Sequence, residues 1–167
     1  ALTAAAVDAM IRAAWDKAGI TPAPPVDDAR FLRRAYLDIA GVIPPVDAVS
    51  TFLADSSPDK RRNLIGALLA SPRSVDHWTN VWDRVLLGRD VRGNIVDRDA
   101  FRAWLHDKLS ANTGYNKLVF ELITATGQND AKDSGAVNWL LKYQDTPQDL
   151  AGNASKIFLG VQIQCAQ

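Results

Sequence analysis

The only cysteine of the chain, Cys165, opens its last three residues, Cys165-Ala166-Gln167. Covalent attachment of haem c uses the pattern Cys-x-x-Cys-His, in which two thiols bond the vinyl carbons and the histidine binds iron. The sequence supplies the first cysteine and both spacer residues of this pattern, and then stops. Cys165 is therefore the candidate cofactor-binding residue. The spacing fits equally a lone thiol, which would be inert if it is buried in the last helix.

Two histidines are the next candidates for chemistry. His77 and His106 do not form the pattern His-Glu-x-x-His, which would place two zinc ligands on one face of a helix. We interpret both as surface or structural residues, and we expect no metal ligand in the chain.

A group of aspartates surrounds the irregular stretch 88–94, Gly-Arg-Asp-Val-Arg-Gly-Asn, which we expect to be an exposed loop. Paired carboxylates can act as general acid and base in hydrolysis. Carboxylates are also common at helix caps and in first turns, where they interact with the helix dipole. We rank a hydrolase last among the hypotheses and predict no catalytic residue. The aspartates concerned are Asp83, Asp90, Asp97 and Asp99.

The charge composition argues against two classes of partner. Lys and Arg total 19, Asp and Glu also total 19, and the two signs are interleaved along the chain. Without a net basic field, neither nucleic acid nor an anionic membrane surface is expected as a partner. No apolar run reaches the ~20 residues that a membrane-spanning helix needs. The chain begins at Ala1 instead of Met, so we expect a processed or trimmed product.

Periodic apolar residues separated by Pro and Gly predict the elements that must position these residues. Thr3 and Gly19 are expected to bound a first helix with one apolar face, formed by Val7, Met10, Ile11, Ala14 and Trp15. An extended, proline-rich strap follows at 21–25, and Asp27 or Asp28 then caps a second helix that ends at Gly41.

Ser57-Pro58 and Ser71-Pro72 each place a capping hydroxyl before a proline and predict two further helix starts. The second of these helices should bury the apolar stripe Val75, Trp78, Val81, Trp82, Val85 and Leu86. A final helix should begin at Thr146-Pro147 and run to the chain end.

These patterns predict an all-α protein, a single irregular helical bundle of about eight helices with short Pro/Gly loops. We expect one domain over 1–167. At helical spacing, the five tryptophans are expected to lie in the core and not on a ligand platform.

Four segments together resemble the planctomycete cytochrome-associated domain of unknown function, from about Asp28 to the chain end. The segments are 31–45 (FLRRAYLDIAGVIPP), 68–73 (LLASPR) with Trp78 and Trp82, 101–104 (FRAW) with 124–127 (TATG), and 158–167 (FLGVQIQCAQ). In that family the last motif usually continues as Cys-x-x-Cys-His, and Cys165 matches the first cysteine.

The resemblance implies a non-catalytic helical module of a larger exported bacterial protein, in a periplasmic or other extracytoplasmic location. The module would pack beside a haem c site that begins at Cys165 and continues beyond Gln167. Haem c would then belong to the full-length parent, and we expect no cofactor in this chain by itself. The implied partners are other domains of the parent, including cytochrome c-like ones. The alternative is a purely structural or protein-interaction domain.

Overall fold

The computed structural model describes residues 3–89, 95–127, 129 and 135–163. Helix accounts for 68% of these residues and none of them is in a strand, which confirms the all-α class and the expected number of helices. The nine α-helices of the described part are α1 (Ala4–Ala18), α2 (Asp28–Ala35), α3 (Val46–Ala54), α4 (Lys60–Leu69), α5 (Pro72–Leu86), α6 (Arg98–Ser110), α7 (Tyr115–Ile123), α8 (Val137–Leu141) and α9 (Pro147–Ala154). The expectation of one domain stays a prediction.

Side-chain hydrogen bonds explain where several of the helices begin. The side chains of Thr3, Asp27 and Ser71 each accept a hydrogen bond from a backbone N–H in the first turn of the following helix. The prediction that Ser57 caps a helix is wrong. Residues 58 and 59 form a turn, and α4 begins at Lys60 after Asp59, because the Ser57 hydroxyl accepts its hydrogen bond within that turn, from the N–H of Asp59.

Two α-helices widen into a π-helical turn before they end. α2 continues as Tyr36–Ala40 and ends at Gly41, whereas α9 continues as Ser155–Leu159 and ends at Gly160. Gly160 has φ +69°, the left-handed conformation that glycine adopts without steric cost. The prediction that the last helix runs to the chain end is therefore wrong, and residues 161–163 follow it without helical structure.

The larger apolar core is formed by residues of the helices from α5 to α9. Its fully buried members include Leu86, Phe101, Leu105, Leu122 and Trp139. The Trp139 ring meets Phe158 edge-on at 5.6 Å between centroids, so the π-helical turn after α9 is packed against α8. This core joins the second half of the chain.

A smaller cluster joins α2, its π-helical turn and α4, through Ala35, Ala40 and Leu68. At its edge, the carboxylate of Asp28 lies 2.7 Å from Lys60 Nζ and accepts a 2.8 Å hydrogen bond from Arg61 Nε. The hydrogen bonds from Lys60 and then Arg61 lower the pKa of Asp28 below its ordinary value of 3.8. The charged form of Asp28 is thereby favoured where α2 and α4 meet.

The expectation that α1 turns its apolar face inward is wrong. No residue of α1 is buried, and Met10, the most exposed of its large apolar side chains, is 64% exposed. The extended strap 20–27 separates α1 from α2, so the helix forms on local caps without being covered by the core. Val7, Ile11 and Trp15 share this exposed face.

The predicted buried face of α5 is wrong in part: Leu86 is buried and Trp82 packs against the larger core, as expected, but other members of the face are not covered. Trp78 and Val85 are exposed, and the buried residues of α5 are Ser74, Thr79, Asp83 and Leu86. The helix is rotated so that Asp83 faces α6, because its cationic partners Arg98 and Arg102 lie on that helix. Periodicity identified the helix correctly but assigned its inner face by hydrophobicity alone.

Adjacent residues of α5 test this orientation. Leu86→Ala should lower the free energy of unfolding by about 2–5 kcal/mol, because it leaves a cavity in the larger core. Val85→Ala, at a position 47% exposed, should change it by no more than ~0.5 kcal/mol. Urea unfolding followed by circular dichroism measures both variants. Equal costs would contradict the rotation of α5 described above.

Candidate functional site

The structure leaves Cys165 outside the described residues, so it does not test this candidate. It does describe the segment that leads to it. The Ser155 hydroxyl donates a 2.9 Å hydrogen bond to the Val161 carbonyl, and the Val161 N–H donates to the Ser155 carbonyl. Leu159, Val161 and Ile163 are all exposed. The chain thus leaves its last helix at a fixed point and presents apolar side chains as it does so.

The two histidines have different surroundings. His77 packs against Gly41 so closely that a Cβ at residue 41 would lie 2.2 Å from His77 Nδ1. His106 Nε2 on α6 lies 3.5 Å from the Asp76 carboxylate on α5. Within the described part of the chain, no three His, Cys, Asp or Glu side chains are grouped as metal ligands.

The aspartates around residues 88–94 have structural partners where they are described. Asp97 caps α6, since its carboxylate accepts a 2.9 Å hydrogen bond from the Ala100 N–H. Asp99 lies in the first turn of α6 and is exposed. Asp90 lies outside the described residues. Asp83 is only 2% exposed and belongs to a cluster that the sequence did not predict.

That cluster is a buried carboxylate held by two arginines of the neighbouring helix; we call Asp83, Arg98 and Arg102 the ion cluster. Arg98 Nε donates to both Asp83 oxygens at 3.1 and 3.2 Å, and Arg98 Nη2 donates to Oδ2 at 2.8 Å. Arg102 Nη1 donates to the same Oδ2 at 2.9 Å. Such charge-assisted contacts satisfy a carboxylate that burial would otherwise penalise strongly.

Further hydrogen bonds hold both guanidinium groups of the ion cluster in place. Arg98 also donates to the carbonyl of Gly88 at 2.7 Å and to that of Arg89 at 2.9 Å, which ties the end of α5 to the start of α6. Arg102 Nη2 donates to Asn80 Oδ1 at 2.7 Å. The ion cluster therefore fixes how α5 and α6 pack together.

A buried amide determines where α6 begins and so where its arginines project. Asn138 is fully buried, and its Oδ1 accepts a 2.7 Å hydrogen bond from the Asp97 N–H. Its Nδ2 donates to the carbonyls of Gly135 at 3.1 Å and Asn129 at 3.2 Å. Because Arg98 is the first residue of α6, this network places its side chain beside Asp83.

The ion cluster lies beside an open groove of about 540 Å³. Arg84 and Arg89 line it in addition to the residues already named, and both are exposed. Among the described residues that line the groove, four guanidinium groups and one carboxylate sum to a charge of +3, although the whole chain is neutral. The spacing of Arg98 and Arg102, four residues apart, indicates that both lie on one face of a helix. Only the packing of α5 on α6 shows that this face meets Asp83.

The tryptophans divide between core and surface. Trp104 and Trp139 are buried, and Trp82 packs against the larger core, as expected. Trp15 and Trp78 are exposed, so the expectation that all five lie in the core is wrong for these two. Trp78 forms part of an open groove of about 640 Å³ with Leu69 and His106.

The helices and their buried ion cluster define an all-α helical domain. A model of the family described as PSCyt2, protein of unknown function (DUF1549), matches residues 6–167, and the chain belongs to this family. The family name is consistent with the cytochrome association implied above. No curated protein and no solved structure matches the chain. Among the described residues, no helix is both long and apolar enough to cross a membrane.

Removal of the central carboxylate tests the role of the ion cluster. Asp83→Ala leaves two guanidinium groups facing each other without a counter-charge, and loss of one partner of a buried pair costs about 3–5 kcal/mol. Because Arg98 and Arg102 are 30% and 37% exposed, we expect the lower end of this range, about 3 kcal/mol.

Asp76→Ala, on the same helix but with a carboxylate 65% exposed, is the matched control and should change stability by ~0.5 kcal/mol or less. Chemical unfolding of both variants measures the difference. Similar midpoints for the two variants would rule out a structural role for the ion cluster.

Proposed function

We propose that this domain is a non-catalytic helical module of a larger exported bacterial protein, and that it packs beside a haem c attached through Cys165. Its partners are other domains of the parent, including cytochrome c-like ones. The location outside the cytoplasm follows from the same family resemblance. The observation that carries the proposal is the hydrogen-bonded anchor at Val161, just beyond the last helix and four residues before Cys165.

The residues around this exit fit an apolar, covalently held group. Ser155 and Gly160 fix the point from which residues 161–163 extend, so a group attached at Cys165 would stay close to the end of the last helix. The exposed side chains of Leu159, Val161 and Ile163 offer an apolar surface that a porphyrin face could cover.

The present chain would supply only one of the residues that bind the haem. Cys165 would supply one thioether sulfur, whereas the second cysteine and the iron-binding histidine would follow Gln167 in the parent. Haem c, when bound, supplies one-electron transfer. The contribution of this domain is to hold the attachment segment in place and to shield one side of the group from water.

Haem attachment can be tested in the parent protein, produced with a haem c maturation system. We expect a Soret band and a haem-staining band on a denaturing gel. Cys165→Ala should weaken or abolish the stained band, because one thioether bond is lost, whereas Gln162→Ala should leave it unchanged. A colourless parent protein, or a stained band that is indifferent to Cys165→Ala, would refute attachment at this cysteine.

Packing of the domain against the group has its own readout within the same experiment. A haem held against an asymmetric protein surface gives a circular dichroism signal in the Soret region. The double variant Leu159→Ser, Ile163→Ser should reduce that signal while the stained band persists. An unchanged signal would mean that the group does not rest on this surface.

The second candidate function, a structural and protein-interaction module, is favoured by the exposed face of α1. Val7, Met10, Ile11 and Trp15 form an apolar stripe that nothing in the described part of the chain buries. Four side chains cannot supply the ~800 Å² per partner of a standard interface between separate proteins. We therefore assign the stripe to another domain of the same protein, which a covalent connection keeps at high effective concentration.

A pair of charged substitutions distinguishes this candidate. Met10→Glu with Ile11→Glu should leave the stability of the present chain nearly unchanged, within ~0.5 kcal/mol, because both side chains are already exposed. In the parent protein the same change should expose the strap 20–27 to limited proteolysis. Asp8→Ala with Asp16→Ala, which alters charge on α1 and leaves the stripe intact, is the control. Equal proteolysis of the parent and both variants would contradict a docked α1.

A further inference from the structure

We propose that the groove between α5 and α6, lined by the ion cluster with Asn80, Arg84 and Arg89, is a binding site for a tetrahedral oxyanion, the phosphate or sulfate group of a small ligand. This site lies apart from Cys165 and does not depend on haem attachment. It rests on the charge balance of the groove, the free donors of its arginines and their fixed positions.

The charge balance of the groove exceeds what the buried carboxylate requires. One guanidinium group is enough to neutralise Asp83, yet Arg98 and Arg102 both contact it. Arg84 and Arg89 line the same groove and are exposed, and neither is needed to neutralise Asp83. An accumulation of like charge is unfavourable unless an anion compensates it, so the surplus points to an anionic ligand.

Arg102 keeps donors available for that ligand. A guanidinium group carries five N–H donors, and Arg102 uses one for Asp83 and one for Asn80, which leaves three. In contrast, Arg98 is nearly saturated by Asp83 and by the carbonyls of Gly88 and Arg89. Arg98 thus anchors the site, and Arg102 provides the positioned donors.

The positions of these donors are set before a ligand arrives. Asp83 holds Arg102 from the buried side and Asn80 holds it from α5, so little side-chain freedom is lost on binding. Arg84 and Arg89 are exposed and can close on a ligand from the rim. A pre-positioned guanidinium with mobile cationic neighbours suits an anion with several acceptor oxygens.

The charge of +3 on the described lining residues favours a doubly charged oxyanion over a single carboxylate, because the attraction grows with the charge of the ligand. A groove of about 540 Å³ has room for a phosphate or sulfate group together with a small organic substituent. Free inorganic ions and esters share this chemistry, and the binding experiment separates them.

Isothermal titration of the present chain with sodium sulfate, sodium phosphate and methyl phosphate tests the proposal, with sodium chloride at equal ionic strength as the reference. We expect saturable binding of at least one oxyanion and none of chloride. Tighter binding of methyl phosphate than of inorganic phosphate would identify an ester as the preferred form, and the reverse order would identify the free ion.

Arg84→Gln and Arg89→Gln should each weaken the binding about tenfold, the effect of one lost charge-assisted contact. Both arginines are exposed, so both variants should fold. Arg73→Gln, at an exposed arginine of α5 outside this groove, is the matched control and should bind like the unsubstituted chain.

Arg102→Gln should abolish binding, and its circular dichroism spectrum shows whether it has folded. The proposal would be overturned if the heats of titration with sulfate, phosphate and methyl phosphate were all equal to the heat measured with sodium chloride. So would Arg84→Gln and Arg89→Gln variants that bind as tightly as Arg73→Gln.

Discussion

The packing of α5 on α6 depends on one buried carboxylate and the two guanidinium groups that neutralise it. An isolated charge in the interior would be strongly destabilising, so Asp83 can be buried only if Arg98 and Arg102 reach it from the neighbouring helix. This requirement selects the rotation of α5. It also brings Leu86 and Phe101 into the same apolar core, so a polar contact determines where the apolar residues meet.

The constraint extends beyond the two helices. Arg98 binds the carbonyls that follow α5, and Asn138 of α8 binds the backbone of Asp97 immediately before it. The Arg98 bonds join two consecutive helices, the Asn138 bond spans 41 residues, and each bond satisfies a backbone group near a helix end. The larger core is thereby closed at its polar edge by hydrogen bonds and at its centre by aromatic packing around Trp139.

Several features of the fold could be predicted from sequence, and they are the local ones. The caps at Thr3, Asp27 and Ser71 and the stops at Gly19 and Gly41 lie where their residue types indicated. Predictions about inner faces were less successful, as Trp78 and Met10 illustrate. Hydrophobic periodicity finds an amphipathic helix, but it cannot tell whether another element is available to cover its apolar side.

The sequence by itself determined the all-α class, most helix boundaries and the family, because capping and helix termination act over a few residues and leave recognisable patterns. The tertiary structure alone decided that Asp83 meets Arg98 and Arg102, that α1 keeps its apolar face exposed, and that a neutral chain carries a locally basic groove. The ion cluster, for example, joins residues that are 15 and 19 positions apart in the sequence. At that separation the cost of burying a charge competes with the gain from pairing it, and a local sequence pattern does not show which of the two is larger.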